Sequence, residues 1–136
     1  MSYDLMVFDP ASAPRSVAEF MEWYEAQQRE DENEPPSDDP KSLTAPLQAW
    51  FSEMIKSFPP LNGPLSTGDV DNPKVTDYGF GRKYVYACFG WSQADEAYRH
   101  TKSLAEKHRI GFFNVSSDES EIWFPGSRGK LERAKE

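Results

Sequence analysis

Apolar and polar positions along this chain change period several times, and each change marks an element. Apart from Asp4, residues 3–8 are apolar with little alternation. That predicts a strand covered on both faces, and so a central one. Asp9-Pro10 ends it. Ser16 and Glu19 have the Ser-x-x-Glu spacing of a capping box. Behind them Val17, Phe20, Met21 and Tyr24 recur at helical spacing, which predicts a first helix to about Arg29. The clearest period lies further on. Leu47, Trp50, Phe51, Met54, Ile55 and Phe58 follow i, i+3, i+4, i+7 without a break. Thr44 is placed to cap this second helix, with Pro46 in its first turn. Pro59-Pro60 stops it, because proline has no N–H to donate.

Residues 59–73 have no period and predict a long irregular loop. Two strands follow, at 75–80 and 83–89, joined at Gly81-Arg82 by a tight hairpin. The second of them is apolar on both faces. Ser92, with Asp95 three residues on, is placed to cap a third helix. Its inner stripe is Ala94, Ala97, Tyr98, Thr101, Leu104 and Ala105, and Gly111 ends it. Residues 112–115 and 122–124 read as a last strand pair around an acidic turn, 116–121. From Pro125 the chain is mixed in charge, which predicts fraying. The order β-α-α-β-β-α-β-β contains β-α-β-β-α-β. The expected fold is therefore α+β: a ferredoxin-like antiparallel sheet with an added helix and an added C-terminal strand, and with helices on one face. One domain is expected over residues 1–125, with a flexible charged tail at 126–136.

Composition narrows the function classes. The chain has 136 residues, with nine Phe, six Tyr and four Trp to build a core. Cys88 is the only cysteine, so no intrachain disulfide can form. The start is acidic, and the apolar run at 5–8 is too short for a signal-peptide core or a membrane span. These features lead us to expect a soluble, cytoplasmic protein. Asp and Glu number 23 against 15 Lys and Arg, a formal net charge of -8. Such a balance argues against general binding to nucleic acid or anionic lipid.

Catalytic equipment is sparse. Asp69-Val70-Asp71-Asn72 begins like a calcium loop, but the required Gly is missing and Pro73 stands at a ligand position. His100 and His108, more than two helical turns apart, cannot share an ion, and both are expected at the surface. Cys88 lies in an apolar strand and reads as a small hydrophobe. Tyr78, Tyr84, Tyr86 and Asp77 are the polar side chains best placed to line a pocket, should one exist. We expect no enzyme activity, no metal and no cofactor.

The acids themselves are the strongest candidates. Asp31, Glu32, Glu34, Asp38 and Asp39 belong to a run with six acids, three prolines and no apolar residue between 30 and 40. This run predicts an exposed loop, and a purely solubilising linker would have the same composition. Asp118, Glu119 and Glu121 form a second group, followed by Trp123. An aromatic beside carboxylates is the composition of a contact surface. Trp23 on the first helix is a further candidate anchor. The expected function is binding to a positively charged protein partner. The alternative is an accessory interaction domain that docks through the sheet edge or the 59–73 loop, with Leu61 or Leu65 in contact.

Residues 2–8 (Ser-Tyr-Asp-Leu-Met-Val-Phe), 58–64 (Phe-Pro-Pro-Leu-Asn-Gly-Pro) and 111–116 (Gly-Phe-Phe-Asn-Val-Ser) resemble a group of small, largely uncharacterised bacterial proteins. The likeness spans most of the chain but not the acidic run or the tail. It implies no catalytic motif. In build the chain is also similar to immunity proteins of bacterial toxin systems. That resemblance implies a cytoplasmic inhibitor that occludes a toxin with a basic cleft.

Overall fold

The computed structural model describes residues 2–33, 40–61, 63–66, 68, 71–81 and 83–135. Six strands, β1 (Tyr3–Phe8), β2 (Asp77–Phe80), β3 (Tyr84–Phe89), β4 (Gly111–Asn114), β5 (Glu121–Pro125) and β6 (Leu131–Arg133), form one sheet. Among the described residues three α-helices accompany it: α1 (Val17–Asn33), α2 (Ala45–Ser57) and α3 (Ala94–Lys107). The strand order is β2-β3-β1-β4-β5-β6, and every neighbouring pair is antiparallel. The chain is thus α+β. β1 lies inside the sheet between β3 and β4, as its two-sided apolar pattern predicts.

The helices do not share one face, which corrects the sequence expectation. Leu5, Val7, Val85, Ala87 and Phe112 pack with Leu47, Trp50, Met54 and Ala97 of α2 and α3. Met6, Phe8, Tyr84, Phe113, Ile122 and Phe124 pack with Phe20 of α1 on the opposite side. The reason is apolar area. Strands that are apolar on both faces would leave the second face in water under a one-sided cover, and each exposed large side chain costs about 1.5–3 kcal/mol. α1 provides that cover, in a cluster where Phe8, Phe20, Phe113 and Phe124 meet edge to face or tilted.

Three boundaries also differ. α1 runs to Asn33 rather than Arg29, since no helix breaker precedes Pro35. Asp31 and Glu32 therefore belong to its last turn instead of a loop, while Glu34, Asp38 and Asp39 lie outside the described residues. A 3-10 turn at Trp91–Gln93 precedes α3, and Ser92 gives no side-chain cap. Thr44 does hold the N-cap position of α2, again without a side-chain hydrogen bond. Finally, the segment expected to fray contributes β6. Leu131 is buried, the Ala134 N–H donates to Ile122 O, and the Val17 N–H donates to Lys135 O.

Two glycines make close packing possible. Gly111 stands opposite Phe8 in the β1–β4 register, and a Cβ there would lie 2.2 Å from the Phe8 ring. Gly81 turns the β2–β3 hairpin, and a Cβ there would meet the Tyr84 ring at the same distance, 2.2 Å.

Candidate functional site

Antiparallel pairing collects particular residues at one end of the sheet. The start of β1 is level with the end of β3, since Tyr3 faces Phe89. The start of β5 is level with the end of β4, since Glu121 faces Asn114. β2 also begins here, with Asp77 opposite Cys88. The connections over residues 58–76, 90–93 and 115–120 therefore all open at this end. Leu61, Leu65 and Trp91, the exposed large hydrophobics among the described residues, sit on the first two of them. The Leu61 N–H donates to Thr76 O at 2.8 Å, which ties that loop to the start of β2.

Trp91 is 53 % exposed, although its ring lies 5.2 Å from the Tyr3 ring. Beside it runs an open groove of about 500 Å³, lined by Tyr3, Trp91, Ala94, Asp95, Tyr98 and Arg99. Asp95 occupies the first turn of α3, where a carboxylate is favoured by the helix dipole. Its side chain has no hydrogen bond or ion pair among the described residues.

Behind the groove is a carboxylate-centred network. Glu121 accepts from the Tyr98 hydroxyl, from Trp123 Nε1 at 3.0 Å and from Asn114 Nδ2 at 3.4 Å. Burial alone would push the Glu121 carboxyl up. The donors Tyr98, Trp123 and Asn114, with nearby Lys102, more than offset that and hold it below the usual carboxylate range. Burial raises the Tyr98 hydroxyl, and Glu121 raises it further. Tyr3 is likewise raised, first by burial and then by Glu121. Lys102 Nζ stands 3.6 Å from the centroid of the Trp123 ring. Asn114 is 8 % exposed, and its Oδ1 meets no donor among the described residues.

The second acidic group is therefore divided. Asp118 and Glu119 are exposed on the turn, whereas Glu121 and Trp123 are half-buried and committed to each other on the α3 side of the sheet. The turn is pinned to the core strand. The Ser116 N–H donates to Asp4 O, and the Asp4 N–H donates to Ser116 Oγ at 2.8 Å. Arg133 reaches the same turn, donating to Glu119 O. Trp23 is half-buried against Phe8 and Phe20, so it is no free anchor.

The remaining polar candidates do not converge. Tyr78 is buried on the α2–α3 side and donates to Phe58 O at 2.8 Å. Tyr84 and Tyr86 lie on the α1 side, where the Tyr86 hydroxyl donates to Asp4 Oδ2. One pocket cannot be lined from both sides of a sheet. The Cys88 thiol is pushed up to about 12 by burial and by Asp4, which suppresses the thiolate. His108, expected at the surface, is mostly covered and contacts Glu53 of α2, which also accepts from Lys107 Nζ at 2.6 Å. His100 is half-buried against Phe58.

Sequence reasoning passed over Tyr3, Trp91, Asp95, Tyr98, Arg99 and Asn114. The one local signal was Trp91, a large aromatic between a strand and a helix with no period to bury it. Nothing local marks Asn114 and Tyr98 as neighbours of Glu121.

No family model matches this chain, and comparison with curated proteins and with solved structures gives no match either. Among the described residues no helix is long and apolar enough to cross a membrane, and no three His, Cys, Asp or Glu side chains gather as metal ligands.

Proposed function

We propose that this chain is an immunity-type protein of the cytoplasm that binds and occludes a bacterial toxin with a basic cleft. One observation carries the reading: exposed Leu61, Leu65 and Trp91 share one end of the sheet with exposed Asp77, Asp95, Asp118 and Glu119. Apolar anchors inside a charged rim are the make-up of a protein-protein contact. The acids steer a basic partner towards that end, and Trp91 supplies desolvated area. Asp31 and Glu32, in the last turn of α1, and Glu34, Asp38 and Asp39, which follow it in sequence, add to the negative charge that attracts such a partner. Glu121 and Trp123 act beneath the surface, where Glu121 holds the Tyr98 hydroxyl behind the groove.

Within this reading, β2-β3-β1-β4 with α2 and α3 is a ferredoxin-like unit, to which α1, β5 and β6 are additions. What supports it is the strand order and the placement of α2 and α3 on one side.

The test is affinity capture from the native host, washed at low and then high salt, with the wild type beside an Asp118→Lys/Glu119→Lys variant. The expected result is one stoichiometric partner that salt releases, that the variant fails to hold, and whose activity the wild type inhibits. Absence of a partner under both washes overturns the proposal. A second reading, an accessory domain docking through the 59–73 loop, is favoured by the exposure of Leu61 and Leu65 at 40 % and 49 %. It predicts a complex indifferent to salt and lost with Leu61→Ser/Leu65→Ser.

A further inference from the structure

We propose that the groove between Trp91, Tyr3 and Asp95 is the seat for an arginine side chain of the partner. This rests on the reading above, that the partner is basic, and it names the contact that would anchor it.

Two features of the groove point to a guanidinium. Trp91 leans on Tyr3 yet leaves more than half of itself open, so an indole face is available to a cation. Indole is the best aromatic partner for a cation, and a planar guanidinium stacks on it as an ammonium cannot. Asp95 is exposed on the first turn of α3, beside small Ala94, and keeps both carboxylate oxygens free of hydrogen bonds among the described residues. A carboxylate in that state can take two parallel N–H bonds from one guanidinium. Arginine carries five donors and no acceptor, which matches an aromatic face beside an open carboxylate. A groove of about 500 Å³ has room for a long side chain.

Arg99 decides how the idea can fail. It lines the same groove, one helical turn beyond Asp95. Its charge opposes a second cation and would welcome an anion. Removing it should therefore act in opposite directions on the two kinds of ligand.

The probe is a set of blocked pentapeptides, Gly-Gly-X-Gly-Gly, with X as arginine, lysine or glutamate. Each is titrated into the ¹⁵N-labelled full chain and followed by NMR. Saturable shifts of the Trp91 indole N–H and the Asp95 amide are expected with the arginine peptide. The lysine peptide should bind about fivefold more weakly. Trp91→Ala and Asp95→Asn should each weaken the arginine peptide about fivefold or more. Both sites are exposed, and the spectra report directly that the variants stay folded. Arg99→Ala should tighten arginine-peptide binding. No saturation with the arginine peptide, tighter binding of the glutamate peptide, or weakening by Arg99→Ala would each overturn the assignment.

The two proposals fail separately. If the arginine peptide does not bind while a captured partner still leaves in salt and with Asp118→Lys/Glu119→Lys, only the arginine seat falls. If neither holds, the basic-partner reading falls with it.

Discussion

The indole of Trp91 lies against the ring of Tyr3, 5.2 Å between centroids and 58° between planes, with just over half of the tryptophan left to solvent. Tyr3 is itself buried at the start of a core strand. The exposed ring is therefore held by a rigid neighbour while contributing little burial of its own. A tryptophan in that position is positioned for contact rather than for the core.

Trp91→Ala should accordingly cost about 1 kcal/mol or less in stability, the value of one aromatic pair. Trp50→Ala should cost about 3–5 kcal/mol. Trp50 is fully buried, and its Nε1 donates to Thr101 O at 3.2 Å. Urea unfolding of the two variants checks the contrast. Equal losses would mean that Trp91 is structural.

Glu53 links α2 to α3 through Lys107 and His108. Lys107 first, then His108, hold its carboxyl down at about 2 against an ordinary value of 4.5. A depressed carboxyl stabilises the folded state above its unfolded value, and that contribution drains as pH falls towards the folded value. The wild type should therefore lose part of its stability between about pH 4.5 and about pH 2. Glu53→Gln should be less stable than wild type at pH 7 and should lose less over that acid window. Urea midpoints at pH 7, 4.5 and 3 measure this. An unchanged acid profile in Glu53→Gln would show that the link adds nothing.

Gly111→Ala should destabilise by about 1–3 kcal/mol, the usual cost of overpacking. The new methyl would meet the Phe8 ring, which is fully buried among other aromatics and has little room to move. Gly90→Ala is the control. The nearest atom to its added Cβ is 3.9 Å away, and Gly90 has an ordinary φ of -71°. It should stay within about 0.5 kcal/mol of wild type. Thermal melts of the pair separate a packing effect from a general intolerance of substitution.

Deleting residues 127–136 removes β6 together with the acceptor of the Val17 N–H. It also uncovers one edge of β5 and the surface beneath Leu131. The loss should be about 2 kcal/mol or more, the scale of one buried leucine and its strand bonds. The melting point should fall by several degrees. A truncated chain that melts with the wild type would restore the view that this segment is a frayed tail.

Much of the fold was legible because burial leaves a period. The pattern from Leu47 to Phe58 located α2 within a few residues, and the two-sided apolar runs at 3–8 and 84–89 marked the inner strands. The face of α1 was legible in principle too, since such strands need cover on both sides. β6 was hidden because Leu131-Glu132-Arg133 is short and offers one buried side chain. Its strand identity comes from pairing with β5 and not from any pattern of its own.

The site was far less legible. Acidity and the aromatic content were visible, and so was the turn bearing Asp118 and Glu119. Composition could not tell that Glu121 turns inward to Tyr98 and Asn114 while its neighbours face water. Local chemistry determined the helix stops and every element except β6, because each depends on residues within a turn or two of one another, and composition set the negative charge. Only the tertiary structure set Trp91 on Tyr3 and opened a groove beside Asp95. Tyr3 lies far in the chain from Trp91 and Asp95, and they meet because antiparallel register levels the start of β1 with the end of β3.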